Sequence, residues 1–290
     1  MAEIIDGKKI SIKLKEKVKE EVYLLKEKKI SVCLAVVLVG KDPASKIYVK
    51  NKKLTCEELG IVSREILLDE KITQEDLIEI IKKLNSDVFV NGILVQLPLP
   101  KHINEKEIIN IIDPLKDVDC FNVKNVGKIL TDDFGFLPCT PAGVVDLIES
   151  TKVEITGKNC TIIGRSNIVG KPLFMLMLKK NTTVSICHSK TFDLKWHTKN
   201  ADILIAAMGR PNFVKKDMVK KNAIVIDVGI NRLDSGKIVG DVDFDDVFDV
   251  ASYITPVPGG VGPMTIAKLM QNTLIAAKLQ NGIFNWFWKN

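Results

Sequence analysis

Several short segments carry side chains able to do chemistry. Tyr48 and Lys52 stand at i and i+4, so on a helix they share one face. A ring beside an ammonium can stack a flat substrate and deliver a proton next to it. A surface tyrosine beside a solvated lysine has the same spacing, and in a lysine-rich chain spacing alone favours that plainer reading. Gln96 lies near the end of the run Gly92–Leu97, just before the turn Pro98-Leu99-Pro100. Strand ends of open α/β sheets are where ligands bind, although Gln96 also reads as an ordinary polar strand end. Asp117 and Asp119 lie in the acidic loop Asp113–Phe121, as candidate ligands or as turn formers.

The segment Gly164-Arg165-Ser166-Asn167-Ile168-Val169-Gly170 follows an apolar run and leads into a helical one. The dinucleotide fingerprint G-x-G-x-x-G sets backbone amides and a helix N-terminus against a pyrophosphate. Here Ser166 takes the place of the second glycine and the last is shifted to Gly170. A structural tight turn explains that spacing alone as well, but the strand before and the helix Pro172–Leu178 after it favour a nicotinamide dinucleotide. The next strand ends Cys187-His188-Ser189-Lys190-Thr191, without the acid that selects NAD by bonding the ribose 2′-hydroxyl. Arg165 with Ser189 or Lys190 suits a 2′-phosphate, so NADP is expected.

These residues need elements to position them. Short β-branched runs alternate with amphipathic stretches, the pattern of an α/β fold with largely parallel sheets. Strands are expected at Val32–Val39, Ile61–Leu68 and Val88–Leu97, and helices at Ala44–Leu59 and Gln74–Leu84. Asp42 or Ser45 would cap the first helix, with Pro43 near its start. After Pro138-Cys139-Thr140-Pro141 come a helix at Ala142–Glu149 and strands at Lys158–Ile163, Thr183–Cys187, Ile203–Ala207 and Ala223–Val228. The later strands are continuous and apolar, as strands covered on both faces should be. Ile254–Gly262, rich in Pro and Gly, reads as loop, and the helix Met264–Leu279 is expected to return to the first domain. The aromatic segment Phe284–Trp288 reads as packing onto the domain surface or a neighbouring subunit.

At 290 residues the chain has room for one large domain or two modest ones. Its start has no basic segment followed by an apolar run, and its longest apolar stretch, Val32–Val39, is too short to span a bilayer. A cytosolic protein without a membrane role is expected. The six cysteines are scattered, with no C-x-x-C, which favours free thiols over a zinc site or disulfides. The net charge of +6 comes mostly from scattered lysines and reads as a solvated surface, not a nucleic-acid stripe.

Together the segments resemble one family, the bifunctional methylenetetrahydrofolate dehydrogenase/methenyltetrahydrofolate cyclohydrolases. The matches are Tyr48-x-x-x-Lys52, Val95-Gln96-Leu97-Pro98-Leu99-Pro100, Asp117-Val118-Asp119, Pro138-Cys139-Thr140-Pro141, the Gly164–Gly170 turn with Pro172, and Pro256–Thr265. They run in the family's order across nearly the whole chain. The resemblance implies an α/β protein of two domains with a cleft between them. Residues 1–138, completed by the C-terminal helix 264–290, would form a three-layer folate-binding domain. Residues 139–263 would form a Rossmann-like NADP-binding domain. It further implies a homodimer that oxidises 5,10-methylenetetrahydrofolate and then hydrolyses the 5,10-methenyl product to 10-formyltetrahydrofolate.

By that likeness Tyr48 stacks on the folate ring system, Lys52 manages the proton transfers of hydrolysis, Gln96 holds Lys52, and Asp119 anchors the pterin. Pro258 and Gly259 border the substrate. Thr140, Gly164, Arg165, Ser166, Ser189 and Ile230 bind NADP, and no metal is implied. A cationic methenyl intermediate would disfavour a protonated Lys52 beside it, which suits proton transfer there. Cys120 stands where the family usually has glycine, and Asn122-Val123 replaces a common His-Pro, which bears on the shape of the pterin pocket. Lys52, Gln96 and Asp119 are all present, against a dehydrogenase-only member. Short-chain dehydrogenases share Y-x-x-x-K but carry the glycine loop before it, the reverse of the order here. A non-catalytic NADP sensor would not need the Tyr48, Lys52, Gln96 and Asp119 set.

Overall fold

The computed structural model describes residues 1–283; the aromatic segment Phe284–Trp288 lies outside them. In chain order the elements are β1 (Glu3–Ile4), α1 (Gly7–Glu27), β2 (Cys33–Val39), α2 (Pro43–Leu59), β3 (Val62–Leu68), α3 (Gln74–Ser86), β4 (Gly92–Val95), α4 (Glu105–Ile111), α5 (Val123–Leu130) and α6 (Cys139–Ser150). There follow β5 (Asn159–Ile163), α7 (Gly170–Lys179), β6 (Thr183–Cys187), α8 (Leu194–Lys199), β7 (Ile203–Ala206), β8 (Ile224–Asp227), β9 (Asn231–Arg232), β10 (Ile238–Val239), α9 (Phe244–Val247), β11 (Tyr253–Ile254) and α10 (Val261–Gln280). The described chain divides into two compact units. One comprises Lys13–Leu137 with the described residues from Leu269 on; the other comprises Met1–Ile12 with Pro138–Lys268.

The first unit is built on a parallel sheet of order β3-β2-β4. Every residue of β2 is buried, as a central strand covered on both faces requires. Its odd-numbered side chains, Cys33 to Val39, pack with Leu77 and Ile81 of α3 and Ile108 of α4. α2 starts as its sequence suggests, with Asp42 accepting a hydrogen bond from Ser45 N at 2.7 Å. β4 is shorter than the expected Val88–Leu97. Val88 and Phe89 are exposed, in a turn where Asp87 Oδ1 accepts from Phe89 N at 2.9 Å, and pairing begins only at Gly92.

The second unit carries a parallel sheet of order β1-β11-β8-β7-β5-β6. β7 and β8 are buried along their length, whereas β6, at the sheet edge, is only half-buried. β1 pairs with β11, so the first residues of the chain belong to this sheet and not to the unit that follows them in sequence. The Pro- and Gly-rich segment is bounded differently from the expected Ile254–Gly262: β11 takes Ile254, and α10 starts at Val261. Among the described residues no helix is long and apolar enough to cross a membrane, and all six cysteines are free and buried.

Candidate functional site

In the first unit, Tyr48 and Lys52 lie one turn apart on α2, and Gln96 follows the carboxyl end of β4. Lys52 Nζ donates to Gln96 Oε1 at 2.9 Å, and Gln96 Nε2 donates to the Leu97 carbonyl at 2.8 Å. The second bond turns the amide so that its oxygen faces the lysine. Lys52 and Gln96 are both half-buried, and Tyr48 is 36% exposed.

The acidic loop runs parallel to β4, with Asp117 bridged to Ile93 and Ile93 N donating to the Lys116 carbonyl at 2.7 Å. Asp119 lies two residues past that bridge, in the turn that Cys120 N closes by donating to the Asp117 carbonyl at 3.0 Å, and Gln96 lies three residues past Ile93. The two acids, alike in sequence, separate in the structure. Asp117 is buried and accepts from Phe121 N (3.2 Å), Asn122 N (2.9 Å) and Asn125 Nδ2 (2.8 Å), which makes it the organiser of the turn. Burial pushes its carboxyl up to about 6 despite those bonds. Asp119, half-buried, is the acid left nearer solvent. Cys120 is buried at φ 61°, a left-handed backbone that favours glycine, and its thiol reaches the Phe136 carbonyl at 3.5 Å. Asn122 caps α5, its Oδ1 accepting from Lys124 N at 2.9 Å.

In the second unit, parallel strands bring the expected cofactor residues to one edge. Gly164, Arg165 and Ser166 follow β5, Ser189 follows β6 and Ile230 follows β8, while the expected substrate residues Pro258 and Gly259 follow β11. β5 sits between β6 and β7, the point where strand order reverses and where open α/β sheets bind ligands. Gly164 has φ 132°, and a Cβ built there would overlap the Ala207 carbonyl; one on Gly170 would overlap the Gly164 carbonyl. The turn is therefore drawn tight, and neither glycine puts a side chain between its backbone and an anion. Ser166 Oγ accepts from Val169 N at 3.2 Å and Gly170 N at 3.3 Å, so the residue in the place of the second glycine caps α7. The turn thus presents the N-terminal end of α7 and, at Gly164 and Gly170, two positions without side chains where a pyrophosphate would lie.

Arg165 and Ser189 are exposed. The turn after β6 is held by Thr191 Oγ1, which accepts from His188 N at 2.8 Å, and by His188 Nδ1, which accepts from Lys190 N at 3.1 Å. Thr140, in the first turn of α6, is 3.0 Å from Thr265 through their hydroxyls. Pro258 is exposed, follows a cis peptide bond, and leads to Gly259 at φ 114°. Sequence reasoning passed over Asp227 and Asp241, buried acids at the ends of β8 and beyond β10. Their only signal is an aspartate near a glycine in Asp227-Val228-Gly229 and Gly240-Asp241, which reads as turn chemistry.

A parallel sheet whose first βαβ unit carries this glycine turn, together in one chain with an α/β unit that has a Lys-Gln pair at its strand end, defines a two-unit nicotinamide-dinucleotide enzyme. The family model for the tetrahydrofolate dehydrogenase/cyclohydrolase catalytic domain matches residues 5–119, and that for the NAD(P)-binding domain matches residues 138–281. The chain belongs to the tetrahydrofolate dehydrogenase/cyclohydrolase family. It is 57% identical over 279 residues to the bifunctional protein FolD of Acetivibrio thermocellus, covering 96% of this chain and 98% of that relative. The crystal structure of the bifunctional FolD of Campylobacter jejuni matches with a TM-score of 0.93 and 52% identity, covering 96% and 99% of the two chains. The Trypanosoma brucei enzyme, solved with NADP cofactor and inhibitor, matches with a TM-score of 0.92 and 36% identity, covering 96% and 98%.

Proposed function

We propose that the chain oxidises 5,10-methylenetetrahydrofolate to the 5,10-methenyl form with NADP and hydrolyses that product to 10-formyltetrahydrofolate. The observation that carries this reading is the Lys52–Gln96 pair, 2.9 Å apart at the strand edge of the unit that includes most of the family's catalytic domain. The folate part draws on residues 1–138 and the closing helix, apart from the first residues, whose β1 pairs into the other unit's sheet, and the dinucleotide part on residues 139–263.

When bound, NADP supplies a nicotinamide able to accept a hydride. Thr140, Gly164, Arg165, Ser166, Ser189 and Ile230 would hold it, the pyrophosphate at the glycine turn before α7 and the 2′-phosphate toward Arg165 and Ser189. Tyr48 stacks on the folate rings, and Asp119 accepts hydrogen bonds from the donor edge of the pterin. Pro258 and Gly259 border the bound substrate.

Hydrolysis needs a proton removed from the attacking water and one delivered to the departing ring nitrogen. Lys52 Nζ performs both transfers. Gln96 is a neutral acceptor, so it fixes Nζ without adding a negative charge that would retain the lysine proton. The enzyme acts as a cytoplasmic homodimer with no membrane partner, and its mild and scattered positive charge supports the reading that it has no nucleic-acid partner.

Supplying 5,10-methenyltetrahydrofolate with no dinucleotide tests the hydrolytic half by itself. Protein-dependent loss of methenyl absorbance is expected, and Gln96→Ala should slow it. Folded protein that leaves the methenyl compound decaying at the buffer rate would overturn this half of the assignment.

A further inference from the structure

Asp241 is fully buried (0% exposed), and both of its carboxylate oxygens are shared between strand-end loops. Oδ2 accepts from Met208 N at 2.7 Å and Gly209 N at 3.0 Å. Oδ1 accepts from Arg210 N at 2.8 Å and from Asn231 Nδ2 at 2.8 Å. The segment carrying Asp241 is itself fixed to the end of β8. Asp227 accepts from Asp241 N (2.9 Å) and Val242 N (2.8 Å), as well as from Gly229 N (2.9 Å).

These bonds land beside residues assigned above to the cofactor. Met208 directly follows Ala207, whose carbonyl excludes any side chain at Gly164. Ile230 lies between Gly229 and Asn231. Asn231 is bonded to Asp241, and a Cβ on Gly229 would overlap the same carboxylate. One buried side chain therefore ties the loop after β7, which abuts the phosphate turn, to the loop after β8, which presents Ile230. A carboxylate suits the place because its oxygens offer about four lone-pair sites and only donors converge on it. An amide there would turn its NH2 toward two of those donors and lose both bonds.

We propose that Asp241 is a positioning residue for NADP: it holds the loops after β7 and β8 in the arrangement that receives the cofactor. The inference rests on the reading of this unit as the NADP site. Asp241 itself stays buried behind the loops and acts only through them.

The test compares Asp241→Asn and Asn231→Ala with the wild-type enzyme in three measurements. They are NADPH affinity by fluorescence titration, methenyltetrahydrofolate hydrolysis without dinucleotide, and thermal melting. Loss of hydrogen bonds to a buried charge should weaken NADPH binding about tenfold or more in Asp241→Asn and about threefold in Asn231→Ala. Hydrolysis, which consumes no dinucleotide, should stay within about twofold, a split that a merely structural residue would not produce. NADPH binding that survives both substitutions overturns this inference alone. If Asp241→Asn does not fold, unchanged NADPH affinity in Asn231→Ala overturns it. Wild-type protein that fails to bind NADPH overturns the underlying functional reading and the inference with it.

Discussion

Replacing Lys52 with methionine should separate the two activities. Methionine keeps an unbranched side chain of similar reach and removes only the ammonium. Lys52 is half-buried and its hydrogen bond at Gln96 is to a neutral amide that can turn to solvent, so the fold should lose about 1 kcal/mol or less. For a chain of this size that is a fall of about 2–4 °C in Tm, too little to empty the folded state. Positioned acid–base catalysis contributes about 10²–10⁴ in rate, and methenyl hydrolysis should fall by an amount in that range. Hydride transfer moves no proton through Lys52, so the dehydrogenase should fall by about tenfold or less, from lost positioning. A continuous assay that follows NADPH formation and methenyl absorbance in one cuvette reads both: methenyltetrahydrofolate should accumulate with the variant where the wild type clears it. Equal loss of both activities in a folded variant would refute the assignment and make Lys52 a packing residue.

Three further outcomes follow from the geometry. Gly164→Ala forces a Cβ onto the Ala207 carbonyl at φ 132°, where backbone strain alone costs about 1–3 kcal/mol; NADPH affinity in a titration should drop by at least tenfold. At Cys120, φ 61°, Cys120→Gly should melt within about 1 kcal/mol of the wild type, as relieved strain offsets lost packing, whereas Cys120→Val should lose about 2 kcal/mol or more. Asp117 and Asp227 are both raised by burial to about 6, above an unfolded carboxyl near 3.9. Between those values the folded state binds more protons than the unfolded one, so their contribution to stability falls as pH rises from about 4 to about 6. Tm should therefore rise on acidification from pH 7 to pH 5, and Asp117→Asn should flatten part of that slope; an unchanged slope would show that burial does not govern these acids.

The chemistry was more legible in the sequence than the framework around it. Local periodicity puts Tyr48 and Lys52 on one helix face and Gln96 near a strand end, but spacing alone favours a plain surface pair, and it is the family resemblance that gives these residues a chemical role. α1 went unread. Its buried residues Val18, Val22 and Leu25 are separated by lysines and glutamates, so the apolar stripe is narrow and the segment looks like a charged linker. The pairing of β1 with β11 joins residues from opposite ends of the chain, and no local pattern signals it. Ser166 breaks the glycine pattern, and its hydroxyl's acceptance of Val169 N and Gly170 N at the start of α7 has no signal in the sequence. Asp117 and Asp119 are indistinguishable as letters, and only burial tells the turn organiser from the half-buried candidate ligand. Asp241 is a tertiary residue throughout: each donor it binds comes from another loop.

The central claim is that one chain performs both steps with NADP. Mixing purified protein with 5,10-methylenetetrahydrofolate and following the full progress curve, with NADP or with NAD, tests it most directly. The account predicts NADPH formation, a transient methenyl species and its decay to 10-formyltetrahydrofolate, with a higher kcat/KM for NADP than for NAD. Folded protein that forms no methenyl species, or that prefers NAD, would contradict it.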